Sequence, residues 1–241
     1  MLVSVIIPTK NRPEFTKEAI ESVEAQAFQD FEIIVIEDEA ENVSAARNFG
    51  VFQSSGKYIA FLDSDDLWEK RKLEKQLKYL QDHPEFKICY TDEKWLRHGQ
   101  HLNQMKKHQK HNGWIFDKCL PLCIISASSI LMEREVFDEL GGFDESLPVC
   151  EDYDLWLRMA LKYPIAYLDE KLVVKRGGHA DQLSKKYWGM DRFRIQSLEK
   201  ILPMELSAEQ RSQVEAELKR KKEIFAKGAL KRGLKSSTRP T

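Results

Sequence analysis

Apolar residues fall in short β-branched runs along the first ninety positions, and amphipathic stretches separate the runs. Residues 2–8 read as a strand buried on both faces, and 31–36, 57–62 and 87–91 as further strands. A helix opens at Asn11 and Pro13, where a proline's missing N–H costs nothing, and Phe15, Ala19, Ile20 and Val23 form its apolar stripe. A second helix spans about 43–53 and stops at Ser54-Ser55-Gly56. A third carries Leu73, Leu77 and Leu80 as far as Asp82-His83-Pro84. This repetition predicts an α/β fold, a mostly parallel, right-handed, doubly wound sheet. Ligands bind such sheets outside the carboxyl ends of the strands. Two of these ends are acidic, Glu37-Asp38-Glu39 and Asp63-Ser64-Asp65-Asp66, so they converge on one crevice.

The second half is less regular. Residues 98–111 are polar and basic and read as an exposed loop or hairpin. A strand near 128–132 leads into a helix over 133–140, which Gly141-Gly142 ends as a C-cap. Residues 151–163 read as a helix whose opening acids suit its N-terminal dipole. Residues 167–175 give one or two short strands, and helices over about 187–202 and 208–230 close the chain. A length of 241 residues fits one domain with a small appendage. The expected organisation is 1–180 as the main domain, with halves at about 1–92 and 93–180, and 181–241 as a helical extension with a basic tail.

Charge narrows the partners. A formal net charge of -1 excludes nucleic acid as the main partner, because phosphate-backbone binding needs a dominant basic field. The apolar start lacks a basic n-region and runs into Pro8, so it is a strand rather than a secretory signal. The longest apolar run, 122–132, is too short and too broken by serine to span a bilayer. The expected location is cytoplasmic, with peripheral contact at the inner face of the membrane as an added possibility. Cys89, Cys119, Cys123 and Cys150 then read as reduced thiols, with a Cys119/Cys123 metal or redox pair as the alternative.

The strongest local chemistry is Asp63-Ser64-Asp65-Asp66. Residues two apart on an extended chain point the same way, and paired carboxylates there suit Mg²⁺ or Mn²⁺. The plainer reading is a turn in which Asp66 caps the next helix. Arg47 either reaches a diphosphate as a bidentate donor or serves on the helix surface. Ser128 and Ser129 either bond a sugar or acceptor or are simple strand residues. His98, His101, His108 and His111 lack ligand spacing and mark a solvated loop. Trp95 and Trp156 read as core, and Trp114, beside Gly113, as the best sugar-stacking candidate. The tail carries Lys219-Arg220-Lys221-Lys222, Lys227, Lys231-Arg232, Lys235 and Arg239. It is either a solvated helix or an attachment to anionic lipid, where each cation contributes about 1 kcal/mol.

The chain resembles family 2 inverting glycosyltransferases. The resemblance lies in 3–12 (Val-Ser-Val-Ile-Ile-Pro-Thr-Lys-Asn-Arg), 31–38 (Phe-Glu-Ile-Ile-Val-Ile-Glu-Asp), Ala45-Ala46-Arg47-Asn48 and 56–66 (Gly-Lys-Tyr-Ile-Ala-Phe-Leu-Asp-Ser-Asp-Asp). It continues in Gly141-Gly142-Phe143-Asp144-Glu145 and 151–158 (Glu-Asp-Tyr-Asp-Leu-Trp-Leu-Arg). It covers roughly residues 2–175, in order. It implies the GT-A fold, a Rossmann-like domain for a nucleotide-diphosphate sugar, commonly a UDP-sugar, and a divalent metal. By that resemblance Pro8, Thr9 and Lys10 line the nucleoside pocket and Asp38 accepts from the base. Asp63 and Asp65 form the Asp-x-Asp motif around Ser64, with Asp65 the direct metal ligand and Asp63 facing ribose and metal. Asp152 is the catalytic base toward an acceptor hydroxyl of a glycan or lipid-linked acceptor. His179 is a further metal ligand in some such enzymes, or else a loop histidine. The loop Glu37-Asp38-Glu39-Ala40 departs from the family's usual two Asp followed by Gly-Ser, which leaves the base open. Two rivals remain. A nucleotidyltransferase would need a glycine-rich basic loop after the first strand, which is missing. A non-catalytic nucleotide-sugar or glycan binder would not need Asp38, Asp63, Asp65 and Asp152 together.

Overall fold

The computed structural model describes residues 1–37, 42–179 and 186–233. Its first part follows the alternation above: β1 (Val3–Thr9), α1 (Pro13–Glu24), β2 (Phe31–Glu37), α2 (Val43–Phe52), β3 (Tyr58–Phe61), β4 (Leu67–Trp68) and α3 (Lys72–Asp82). β1 and β3 are buried at every position, which is why their runs show no polar alternation. Asn42 caps α2 by accepting from the Ala45 N–H at 3.2 Å. β4 leaves no sequence signal, since two residues cannot establish a period.

β5 (Ile88–Arg97) turns into β6 (Gln100–Leu102) through His98-Gly99, whose φ angles of 50° and 76° match the twist of a two-residue hairpin. Residues 98–111 are therefore a hairpin followed by a 3-10 turn, Lys106–His108. Next come α4 (Phe116–Cys119), β7 (Ile130–Glu133), α5 (Arg134–Leu140), α6 (Glu151–Lys162), β8 (Ala166–Gly177), α7 (Asp191–Ile201) and α8 (Ala208–Leu230). Gly141 closes α5 at φ 74°, the left-handed cap expected of it. β8 is one strand rather than two, because an irregularity in its register against β5 absorbs the polar break at Asp169-Glu170.

Among the described residues the strands form one sheet in the order β2-β1-β3-β7-β5-β8-β4, with β6 beside β5. β1, β2, β3, β5 and β8 point one way and β4, β6 and β7 the other. The predominantly one-way, doubly wound arrangement is as expected, with antiparallel β7 set between β3 and β5. Side chains alternate across the sheet. Val3, Val5 and Ile7 pack with Ala19, Val23, Leu73 and Leu77 of α1 and α3. Ile6, Ile59 and Phe61 pack with α2, α5 and α6 on the other face.

That second core also takes Phe193, Leu198, Ile201, Val214 and Leu218. The boundaries expected at 92 and 180 thus divide no core, and the closing helices are part of it. The basic run in α8 is solvated at Lys219, Arg220 and Lys222 but not at Lys221. Lys221 is 1% exposed; its Nζ donates to the Pro121 carbonyl at 3.0 Å and meets Asp191 and Glu217 at 3.2 Å. Arg220 pairs with Glu217 and Lys222 with Glu199. Residues 234–241 lie outside the described residues. Among the described residues no helix is long and apolar enough to cross a membrane.

Candidate functional site

At the carboxyl end of β1 the chain turns under α1. Thr9 Oγ1 and Thr16 Oγ1 hydrogen-bond at 2.5 Å, and the Asn11 N–H donates to Glu37 Oε1 at 2.9 Å. Thr9, Lys10, Asn11, Arg12, Val35 and Glu37 help to line a cleft of about 980 Å³. Thr9 and Lys10, two of the three residues expected at a nucleoside pocket, border this cleft. Pro8 does not: it is buried inside β1, in register with Ile36. Asp38 lies outside the described residues.

The acidic end of β3 departs from the extended geometry expected for Asp63 and Asp65. The Asp66 N–H donates to the Asp63 carbonyl at 2.9 Å and closes a turn. Ser128 enforces it. Its Oγ accepts from the Asp63 N–H at 3.1 Å and donates to Asp66 Oδ2 at 2.7 Å, while the Arg176 N–H donates to Asp66 Oδ1 at 3.0 Å. Asp66 braces the turn rather than capping α3, and burial pushes its carboxyl well up. Ser64 is buried within the turn. Ser128 and Ser129 are buried in a 3-10 turn before β7, so their role is internal bracing.

Asp63 Oδ1 takes Arg47 Nη2 at 2.7 Å, and Asp65 Oδ2 takes Arg12 Nη1 at 3.0 Å. Burial, and then the charge of Asp63, hold the Asp65 carboxyl above its ordinary range. Burial also acts upward on Asp63, but the Arg47 and Lys175 cations more than offset it. Two hard oxygen donors that repel each other fit a divalent cation. Among the described residues no group of three or more His, Cys, Asp or Glu is placed to hold one, so a cation here would draw its other oxygens from a diphosphate and water. His179 packs edge-on against Phe15 with ring centres 4.7 Å apart.

Arg47 is 4% exposed and spans the molecule. Nη2 holds Asp63 from the donor side and Nη1 holds Glu151 Oε1 at 2.6 Å. Both ends are thus engaged by carboxylates, not aimed at a diphosphate. Burial pushes the Glu151 carboxyl up to about 7 against the pull of Arg47. Glu151 opens α6 beside Asp152 and Asp154. Asp154 is buried and holds Arg158 and Lys200. Asp152 is half-buried and has no salt bridge among the described residues. Its Oδ1 accepts from the Tyr153 N–H at 2.7 Å and its Oδ2 from the Cys123 thiol at 3.2 Å.

The same bridging explains two of the sequence motifs. Asn48 Nδ2 donates to the Phe143 carbonyl and Asn48 Oδ1 accepts from the Phe143 N–H, both at 2.9 Å. A side chain at Gly142 (φ 71°) would lie 2.8 Å from Asn48 Oδ1. The 45–48 and 141–145 segments are two halves of one joint.

Sequence reasoning missed Lys175. It is half-buried near the end of β8, and the carboxylates of Glu93, Asp66, Asp63 and Asp152 hold it protonated despite burial. A lysine in a strand carries no signal of such surroundings. Arg12, Cys123 and Asp66 were likewise missed as partners of Asp65, Asp152 and Ser128, although Arg12 and Asp66 both stood inside motifs singled out for chemistry. Trp156 is buried and donates to the Ile125 carbonyl, and Trp95 donates to Glu93. Trp114 is 67% exposed but follows Gly113, which pairs with Ile165, ten residues before Lys175. All four cysteines are free.

Comparison with known proteins places this arrangement. Residues 3–197 match the family described as glycosyltransferase like family 2. An uncharacterised glycosyltransferase of Rickettsia felis is 32% identical over 214 residues, which cover 77% of this chain and 35% of that protein. The chain thus spans about a third of that relative's length. An Escherichia coli UDP-Glc:alpha-D-GlcNAc-diphosphoundecaprenol beta-1,3-glucosyltransferase is 27% identical, covering 65% of this chain and 68% of its own. Staphylococcus aureus TarS in complex with UDP-GlcNAc superimposes with a TM-score of 0.77 at 19% identity, over 98% of this chain and 76% of that one. A Pyrobaculum calidifontis mannosyltransferase in complex with GDP-Man and Mn²⁺ gives 0.64 at 16%, over 96% and 74%. The fold is GT-A. With the family matched over most of its length, this chain belongs to glycosyltransferase family 2.

Proposed function

We propose that the protein transfers a sugar, with inversion, from a UDP-sugar to a hydroxyl of a lipid-linked or glycan acceptor in surface polysaccharide assembly. The observation that carries this reading is Arg47. One guanidinium joins the acidic end of β3 to the first turn of α6, so the donor-side carboxylates and Asp152 address one crevice. TarS in complex with UDP-GlcNAc and the E. coli enzyme named for UDP-Glc and a diphosphoundecaprenol acceptor support the donor and acceptor classes.

In this mechanism Asp152 takes the acceptor hydroxyl's proton as its oxygen attacks the anomeric carbon. The bond from that carbon to the diphosphate oxygen breaks on the opposite face, and the nucleoside diphosphate departs. Lys10 and Arg12, at the cleft, lie where they can meet negative charge on the diphosphate, and the Arg47 and Lys175 cations keep Asp63 ionised. Asp63 and Asp65 would hold a divalent cation, Mn²⁺ or Mg²⁺, with His179 as a further ligand after a shift from Phe15; such an ion supplies Lewis-acid charge neutralisation on the leaving group. Asp38 reads the base. In thermal melts UDP should raise the melting temperature more in Mn²⁺ than in EDTA, and Asp65→Ala should abolish the difference. Equal stabilisation with and without metal would refute the metal assignment, and GDP stabilising as well as UDP would refute the uracil assignment.

A further inference from the structure

Between Glu93 and Asp117 the chain carries no acid over 23 residues, against five Lys and Arg and four His. The fold sets the hairpin of this stretch beside the end of β8. Arg97 lies opposite Gly177, and the His98 ring packs on Gly178, directly before His179. Two of the cations are neutralised within the protein, Lys110 by Glu93 and Lys94 by Glu69. Arg97, Lys106 and Lys107 are exposed and have no salt bridge among the described residues. Leu102 and Met105, 43% and 57% exposed, stand beside them. Unneutralised cations interleaved with exposed apolar side chains are what an anionic bilayer surface recognises, because headgroup phosphates and the interfacial apolar layer are met together. In the C-terminal run Arg220, Lys221 and Lys222 have acidic partners, whereas Lys227, Lys231 and Arg232 are exposed and have no salt bridge among the described residues, so variants of each compare the two surfaces directly.

We infer that the β5–β6 hairpin and its following turn rest on an anionic membrane, so that a lipid-linked acceptor enters the crevice from this side. The delivery of an acceptor rests on the proposed transfer reaction, whereas the binding itself does not. The test is sedimentation of the full chain with vesicles of phosphatidylcholine alone or with about one third phosphatidylglycerol. Binding should require the anionic lipid and fall with salt. Arg97→Gln/Lys106→Gln/Lys107→Gln should weaken it about 100-fold, and Leu102→Ser/Met105→Ser about tenfold. Lys227→Gln/Lys231→Gln/Arg232→Gln should leave it within about twofold. Equal binding to neutral vesicles, loss in the tail variant with retention in the cation variant, or an unchanged Leu102/Met105 variant would each overturn the inference. All substituted side chains are on the surface, and unchanged melting temperatures will verify folding. UDP-dependent stabilisation, measured on the same samples, separates the two ideas: its absence in the wild type would defeat the donor reading and leave the vesicle result standing.

Discussion

Asp152 and Lys72 show how differently two ionisable groups are used. Asp152 is half-open at a helix N-terminus, and both its oxygens are held by neutral donors. Asp152→Asn keeps the shape and removes the proton acceptor. Transfer to a defined acceptor should fall about 10²–10⁴-fold, while UDP affinity by calorimetry stays within about twofold. Near-normal transfer would move the search to Glu151→Gln. Lys72, by contrast, is sealed in the opposite core. Its Nζ donates to Gln76 Oε1 at 2.7 Å and sits 4.0 Å above the Trp68 ring. Burial lowers its ammonium from an ordinary 10.5 to about 7. The folded state therefore gives up this proton near pH 7 and the unfolded state only near 10.5. The associated stability is present at high pH and is lost as pH falls through 7. Comparing denaturant unfolding of wild type and Lys72→Met isolates this group from the titrating cysteines. The difference should move by about 2–3 kcal/mol in favour of wild type between pH 6.5 and 9; parallel curves would show that Lys72 does not titrate as described.

Among the elements, α2 ties the acidic end of β3 to the first turn of α6. Arg47→Met leaves Asp63 and Glu151 buried without their shared cation, at a cost of about 3–5 kcal/mol. The Glu151 carboxyl, already at about 7, rises further. A raised carboxyl gives stability below its unfolded value and loses it as pH climbs through the folded one. The deficit against wild type in thermal melts should thus be larger at pH 8 than at pH 6, and a pH-independent deficit would deny this coupling. The sequence made α2 readable because its run stops cleanly at Ser54-Ser55-Gly56. It also placed Asp63, Asp65 and Asp152 on the right elements. It could not reveal that Arg47 faces two carboxylates, because one of them lies 104 residues away. Nor could spacing show that Asp63 and Asp65 sit in a turn: the extended-chain rule fails where Ser128, from another segment, bonds the turn from outside.

Across the whole molecule, the closing helices complete the larger core. Removing residues 219–241 strips away buried Lys221 and Ala229 and exposes Leu218. The truncated protein should melt roughly 6–12 °C lower, as a loss of about 3 kcal/mol implies for a domain of this size. Unchanged melting would mean that α8 is an appendage after all.

The placement of β7 has a consequence for synthesis on the ribosome. The outer edge of β3 is paired by Leu131 and Met132, and β4 is paired by Val173 and Val174. Translation delivers the parallel β2-β1-β3 nucleus long before either. For some seventy codons the emerging chain carries a hydrophobic strand edge with no mate, which is a template for pairing with a neighbouring nascent chain. Pulse-labelled chains arrested before codon 130 should stay protease-sensitive and bound to chaperones, whereas those arrested once β8 has cleared the exit tunnel should resist cleavage.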